Sequence, residues 1–169
     1  IGFVPWYFNL PDAGYEKAWY SLMDPNGFAA PYGPTTVERS AKDFMHQEDH
    51  DCLWNGPSWP YATTQTLVAM ANLLDNYSQS VVTKKDYLHQ LQAYDRSHWK
   101  DGRPWIAEDL DALTGKWIVD LPRSVYYNHS GFADLVITGL VGLRPSADNR
   151  IQIKPLVPQT EWDWFCLDG

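Results

Sequence analysis

Positive charge is what this 169-residue chain has least to spare. Lys and Arg number 13 against 21 Asp and Glu, a formal net charge of −8, whereas nucleic-acid binders concentrate Lys and Arg on one face. No nucleic-acid partner is expected, and a neutral ligand suits the charge better. Long apolar runs are also missing. None approaches the roughly 18 residues of a membrane-spanning helix, and no basic segment followed by an apolar one opens the sequence, so no membrane partner is expected. The two cysteines, Cys52 and Cys166, are too few for a disulfide framework and set no compartment. No Gly-rich phosphate loop and no serine nucleophile elbow occurs, and no cofactor is called for.

Aromatic residues are abundant instead. Nine Trp, 10 Tyr and 6 Phe make up 15% of the chain, and many stand beside Pro, Gly and Asn rather than within periodic apolar runs. A hydrophobic content of 44% and a charged content of 20% describe ordinary globular material of one domain's length. The aromatic surplus therefore belongs partly to loops.

Helical periodicity appears in one short stretch and three longer ones. Residues 15–23 bring Ala18, Trp19 and Leu22 to helical spacing, with Asp12 near enough to cap them. The spacing predicts an amphipathic helix over 63–77, where Leu67, Met70, Ala71, Leu74 and Tyr77 recur at i, i+3, i+4 and i+7. A second runs over 83–98, opened by Thr83 with Asp86 three residues on. The apolar stretch 130–143 reads as a third, which Ser130 can cap. Its two glycines, Gly139 and Gly142, each cost about 1 kcal/mol relative to Ala. Residues 150–157 alternate, Ile151 with Ile153, and are expected to pair as a strand with WDWF at 162–165.

Topology then restricts where chemistry can sit. If helices 63–77 and 83–98 form an antiparallel hairpin, the start of the first and the end of the second share one end. The two long irregular stretches, 24–60 and 99–129, gather there. Loops of this length in a compact domain are commonly functional.

Four clusters occupy those loops. WNGPSWP at 54–60 offers indole faces for apolar sugar faces, an amide at Asn55 and two stiffening prolines, or else its Trp54 and Trp59 plug the helix ends. PWIAEDLDALTGKW at 104–117 holds Glu108, Asp109 and Asp111 among aromatics, where a carboxylate can act as a general base, although DALTG is equally good turn chemistry. HQEDHDC at 46–52 sets His46 and His50 four apart, but the glutamate is displaced from the zincin pattern. No metal is expected there, and hydrogen bonding at a pocket rim is the preferred role. YYNHSGFADL at 126–135 puts Tyr127 and His129 at the start of the third helix. Asn128-His129-Ser130 and Asn76-Tyr77-Ser78 also match the glycosylation sequon, a weak signal.

These motifs together resemble the six-hairpin (α/α)₆-barrel glycoside hydrolases, in particular the group of trehalase, mannosylglycerate hydrolase and the processing α-glucosidases. The resemblance rests on W-N-G-P-S-W-P at 54–60, on E-x-x-x-x-x-T-G from Glu108 to Gly115, and on Y-N-H-S-G-F-A-D-L at 127–135. It implies a mainly α fold, part of a toroid of helical hairpins over 1–145, with 63–77 and 130–143 as inner helices and 83–98 as an outer one. A β tail, 146–169, would belong to an accessory sheet.

The same resemblance implies inverting hydrolysis of an α-linked oligosaccharide or glycoside, with Glu108 as the base that activates water. Trp54, Asn55, Gly56 and Trp59 would form the sugar-contacting loop, with Trp105, Tyr127 and His129 shaping subsites. Inversion requires a second carboxyl about 6.5–9.5 Å away as acid. In this group that acid is an aspartate well upstream, and no segment here matches it. The chain supplies about four of the twelve helices of a full barrel, so it reads as a C-terminal portion, expected to be inactive alone and to need an upstream segment or companion chain. Any targeting segment would precede Ile1, which leaves a periplasmic or secreted setting open. A non-catalytic carbohydrate-binding fragment and a polysaccharide lyase on a similar toroid are the alternatives. The lyase fits less well, since its acidic substrate would meet a net charge of −8.

Overall fold

Proline sets where the first long helix begins. Trp59 is extended and Pro60, whose fixed φ suits the first helical position, opens α3 over Pro60–Asn76. The helix thus starts three residues before the periodic apolar pattern does. A computed structural model describes residues 2–46, 52–125, 127 and 129–168. Before α3 the chain forms α1 (Val4–Tyr7), a 3₁₀ turn (Glu16–Trp19) and α2 (Tyr20–Met23). The expected cap at Asp12 is not made. Tyr15 precedes the turn without a side-chain bond, and Glu16 instead accepts from the Gly14 N–H at 2.7 Å.

Helix α4 (Lys84–Arg96) has the capping box that Thr83 and Asp86 foretell. The Asp86 carboxylate accepts the Thr83 N–H at 2.8 Å, while Thr83 Oγ1 accepts the Asp86 N–H. One face of α4, with Tyr87, Leu88, Leu91 and Tyr94, is buried. On α3 the buried residues, including Thr63, Thr66, Leu67, Ala69, Met70 and Leu73, spread around more of the helix, which packs against α1, α4 and the later helical segment. Helix α1 packs on α3, and the Asn72 amide donates to the carbonyls of Trp6 and Tyr7. Phe3, Trp6, Trp19 and Leu22 join Leu67, Met70, Leu73, Tyr87, Leu91 and Leu135 in the main core.

The last helical segment is α5 (Phe132–Asp134), which continues as a π-helix over Leu135–Leu140. It ends earlier than the expected 143, because Gly142 adopts φ +72° and turns the chain. A Cβ there would lie 2.0 Å from the Lys154 carbonyl oxygen. The π turn is wide enough for the buried Tyr87 hydroxyl to donate to the Leu135 carbonyl at 3.1 Å.

Among the described residues the strands form three antiparallel pairs: β1 (Trp99–Lys100) with β2 (Arg103–Pro104), β3 (Asp109–Leu110) with β4 (Trp117–Val119), and β5 (Leu143–Pro145) with β6 (Ile151–Ile153). The partner of 151–153 is therefore 143–145, and WDWF at 162–165 forms no strand. A tight return through Ser146–Asn149, with Asn149 at φ +62°, makes the nearer segment the accessible partner. The chain is mainly helical with a few short antiparallel strands, a portion of an (α/α)₆ toroid.

Candidate active site

The two long loops meet through the backbone. Ser58 and Leu110 exchange both main-chain hydrogen bonds, at 2.8 and 3.0 Å, so the WNGPSWP loop is paired directly to the ribbon that follows Glu108. A polar network ties the helix ends behind them. The Tyr94 hydroxyl at the end of α4 donates to the Pro60 carbonyl at 2.7 Å and lies 2.9 Å from Thr64 Oγ1 and 3.2 Å from Ser130 Oγ. The start of α3, the end of α4 and the approach to α5 thus share one end, as the hairpin argument requires.

His98 completes that network. Its Nδ1 faces the Tyr94 carbonyl at 2.7 Å and must carry the proton, so its Nε2 accepts from Ser130 Oγ at 2.6 Å. Ser130 Oγ accepts the Phe132 N–H in turn, at 3.1 Å, but the residue flanking α5 is Gly131, so the expected cap at Ser130 is not made and the hydroxyl serves a local turn instead. His129, one residue before Ser130, is thereby set at this end.

Around His129 the aromatic residues converge. Its ring centroid lies 4.2 Å from Tyr127 in an edge arrangement, 5.9 Å from Tyr61 and 6.2 Å from Trp59. Trp54 stacks on Trp59 at 4.6 Å and 11°. Trp59 is only 5% exposed and donates its indole N–H to the Leu53 carbonyl at 2.8 Å, whereas Trp54 is 41% exposed. Trp59 is the buried backing and Trp54 the reachable face.

Glu108 stands against this wall. Its carboxylate is 17% exposed, and Oε1 accepts from Ser124 Oγ at 2.7 Å with Arg123 Nε at 3.9 Å. Among the described residues Oε2 carries no hydrogen bond. Burial lowers the pKa of His129, opposed by the nearby charge of Glu108. Burial lowers that of His98 as well, against its bond to the Tyr94 carbonyl.

Those shifts carry a pH signature. In the unfolded chain both imidazoles gain protons below about pH 6.5, while the folded chain keeps them neutral to lower pH. Their contribution to stability is full above that value and falls as pH drops toward the folded values. Denaturant melts at pH 7.5, 6.5 and 5.5 should show declining stability, with a shallower decline in His98→Gln. An equal slope in that variant would remove His98 from the account.

The remaining predicted residues serve the loop's shape or a neighbouring surface. Asn55 donates to the carbonyls of Asp43 and His46 at 3.1 and 2.6 Å, and its own carbonyl accepts the Met45 N–H. Gly56, at φ +151°, lies so close to Met45 that a Cβ would come within 2.8 Å of the sulfur. Trp105 directs its indole N–H to Asp120 at 2.9 Å, with Lys100 over its ring. Asp111 accepts the N–H groups of Leu113 and Thr114 and closes the DALTG turn. Of HQEDHDC, residues 47–51 lie outside the described residues, as do Tyr126 and Asn128. Among the described residues no group of three metal-ligating side chains converges, and no helix is long and apolar enough to cross a membrane.

Sequence reasoning missed Ser124, Arg123 and Tyr61. Tyr61 directly follows the WNGPSWP motif and was within its reach. Ser124 and Arg123 carry no pattern, since the turn at 122–125 alone brings them to Glu108.

The geometry thus sets a half-enclosed carboxylate beside an aromatic wall at the joined ends of the helices. The mannosylglycerate hydrolase MGH1-like glycoside hydrolase domain matches residues 1–130, and the chain belongs to that family. A solved structure named as a sialidase is 51% identical, with a TM-score of 0.90 over 96% of this chain. The chain spans 15% of that protein's length. No curated protein sequence matches it.

Proposed function

We propose that this chain supplies the general-base half of an inverting glycosidase acting on an α-linked oligosaccharide or glycoside. The observation that carries the reading is the asymmetry of Glu108: Ser124 holds Oε1 at 2.7 Å, while Oε2 has no hydrogen bond among the described residues. A carboxylate anchored by one oxygen can accept a water proton with the other. Glu108 takes that proton as the water attacks the anomeric carbon. The leaving oxygen departs from the opposite face with a proton from a carboxylic acid.

Trp54 offers its indole to the sugar's C–H face, backed by Trp59, and Tyr61, Tyr127 and His129 line the remainder. Arg123 already stands 3.9 Å from Glu108 Oε1, and a neutral His129 adds no second cation that would reduce the carboxylate's basicity further. Asn55 and Gly56 act by holding the loop that carries Trp54. The acid is assigned to polypeptide outside these 169 residues, as is the apolar surface that covers the inner helices. Catalysis then needs the intact protein, with the upstream segment or a companion chain in place.

Proton NMR of fresh product tests the stereochemistry. The intact protein, given a panel of α-glucosides, α-mannosides and sialyllactose, should release the β-anomer first from an α-linked substrate. Initial release of the α-anomer would overturn inversion and the water-activating role of Glu108 with it.

A further inference from the structure

A second concavity, of about 510 Å³, lies beside the β1–β2 and β3–β4 ribbons. Its volume falls within the usual range for small-ligand pockets. None of Trp54, Trp59, Tyr127, His129, Ser124 or Glu108 lines it, so it is a different surface from the candidate active site.

Its walls are aromatic and polar together. Trp99 opens β1 and is 47% exposed, its indole face unburied at the cavity edge. Gly115 at φ +73° lets the Tyr32 ring approach so closely that a Cβ would sit 2.5 Å from ring Cε1, and both residues line the cavity. Lys100 pairs with Asp120 and lies 4.8 Å from the centre of the Trp105 ring, while the Trp105 N–H holds the other Asp120 oxygen at 2.9 Å. The ammonium is therefore fixed, yet its side chain remains 38% exposed.

Two further cations have groups to spare. Arg96 commits Nε to the Pro31 carbonyl at 2.9 Å, and its remaining nitrogens meet no carboxylate among the described residues. The Lys116 ammonium likewise has no partner there. Asp101 supplies an acceptor carboxylate to the same cavity. Cations and carboxylates thus nearly balance, and donors and acceptors surround an open indole. Sugar hydroxyls donate and accept at once and suit such a lining, whereas a polyanion would meet Asp101 and Asp120.

We propose that this cavity is a second carbohydrate site, which takes a neutral sugar ring on the face of Trp99, with Arg96, Lys100, Lys116 and Asp101 bonding its hydroxyls. The choice of carbohydrate as ligand class rests on the glycosidase reading of the chain. Trp105 serves this site through Lys100 and Asp120. The site holds a glycan chain away from the scissile bond and adds affinity without entering the chemistry.

The test uses the intact protein carrying Glu108→Gln, so that binding is read without turnover. Maltotriose, α-1,2-mannotriose and 3′-sialyllactose are titrated by saturation-transfer NMR and tryptophan fluorescence. Adding Trp99→Ala should weaken at least one neutral trisaccharide about tenfold, the effect of losing a tryptophan anchor, and Trp99→Phe should restore much of it. On the Glu108 background without Gln, Trp99→Ala should leave kcat on an aryl monoglycoside unchanged. Binding of every neutral probe without regard to Trp99, or binding of none, would overturn the proposal. Trp99-dependent binding confined to 3′-sialyllactose and lost in Lys116→Gln would overturn the neutral-sugar assignment. If Glu108→Gln retained full turnover while Trp99-dependent binding persisted, the base assignment would fall and the second site would stand.

Discussion

Glu108→Gln in the intact protein should lower kcat on an α-linked substrate by about 10²- to 10⁴-fold, the usual contribution of general base catalysis, and leave KM nearly unchanged. The amide matches the carboxylate in shape and can still face Ser124 Oγ, which sits 2.7 Å from Oε1. It cannot take a proton from water. The loss then falls on the transition state alone, the pattern expected when an interaction absent from the ground state is removed. Because Ser124 only steadies the carboxylate, Ser124→Ala should cost much less. Near-normal turnover of Glu108→Gln would remove Glu108 from the base role, whatever the product anomer.

The largest stability effect is expected at Gly139, far from the sugar wall. A Cβ on this residue would lie 2.0 Å from the Tyr87 hydroxyl and 2.8 Å from ring carbon Cζ. Tyr87 is fully buried among α3, α4 and the π-helix, and its hydroxyl is committed to the Leu135 carbonyl at 3.1 Å. The ring has nowhere to swing. Gly139→Ala should therefore destabilise by about 2–3 kcal/mol, as overpacked cores do, despite Ala's better helix propensity. In a folding unit of 150–250 residues that lowers Tm by roughly 4–12 °C. Adding Tyr87→Phe removes the oxygen and should recover part of the loss, a coupling that independent sites would not show. A stabilised Gly139→Ala would mean that the π-helix does not approach Tyr87 so closely.

The two glycines of 130–143 show how local rules and packing diverge. By propensity alone both weaken a helix. In the folded chain Gly139 admits the Tyr87 hydroxyl, and Gly142 ends the segment at φ +72° against the backbone of Lys154 and Pro155. Neither reason is present in the residues on either side of them, because both partners are distant in sequence. The strand pairing differs for a related reason. Alternation marked 150–157 as β, but only the turn at 146–149 made 143–145 its partner in place of 162–165.

The candidate site divides the same way. Motif order disclosed the family and singled out Glu108 and the Trp54–Trp59 loop as candidates, and helix periodicity disclosed that the two long loops share an end. Trp54 and Trp59 look equivalent in sequence, yet their stacking buries one and exposes the other. Asn55 and Gly56 lie inside the same motif, but their contacts are with residues 43–46 of a loop that no local pattern ties to them.

What the residues determine by themselves is what depends on neighbours three or four positions away: α3, α4, the Thr83–Asp86 cap, the DALTG turn, and the acidic balance that disfavours polyanionic ligands. Only the tertiary structure decides which oxygen of Glu108 is held, which tryptophan is reachable, and that Arg96, Trp99 and Lys116 surround one cavity. Those outcomes depend on contacts between segments that pack together only once the core has formed, and side-chain burial and hydrogen-bond partners are properties of that packing, not of local spacing.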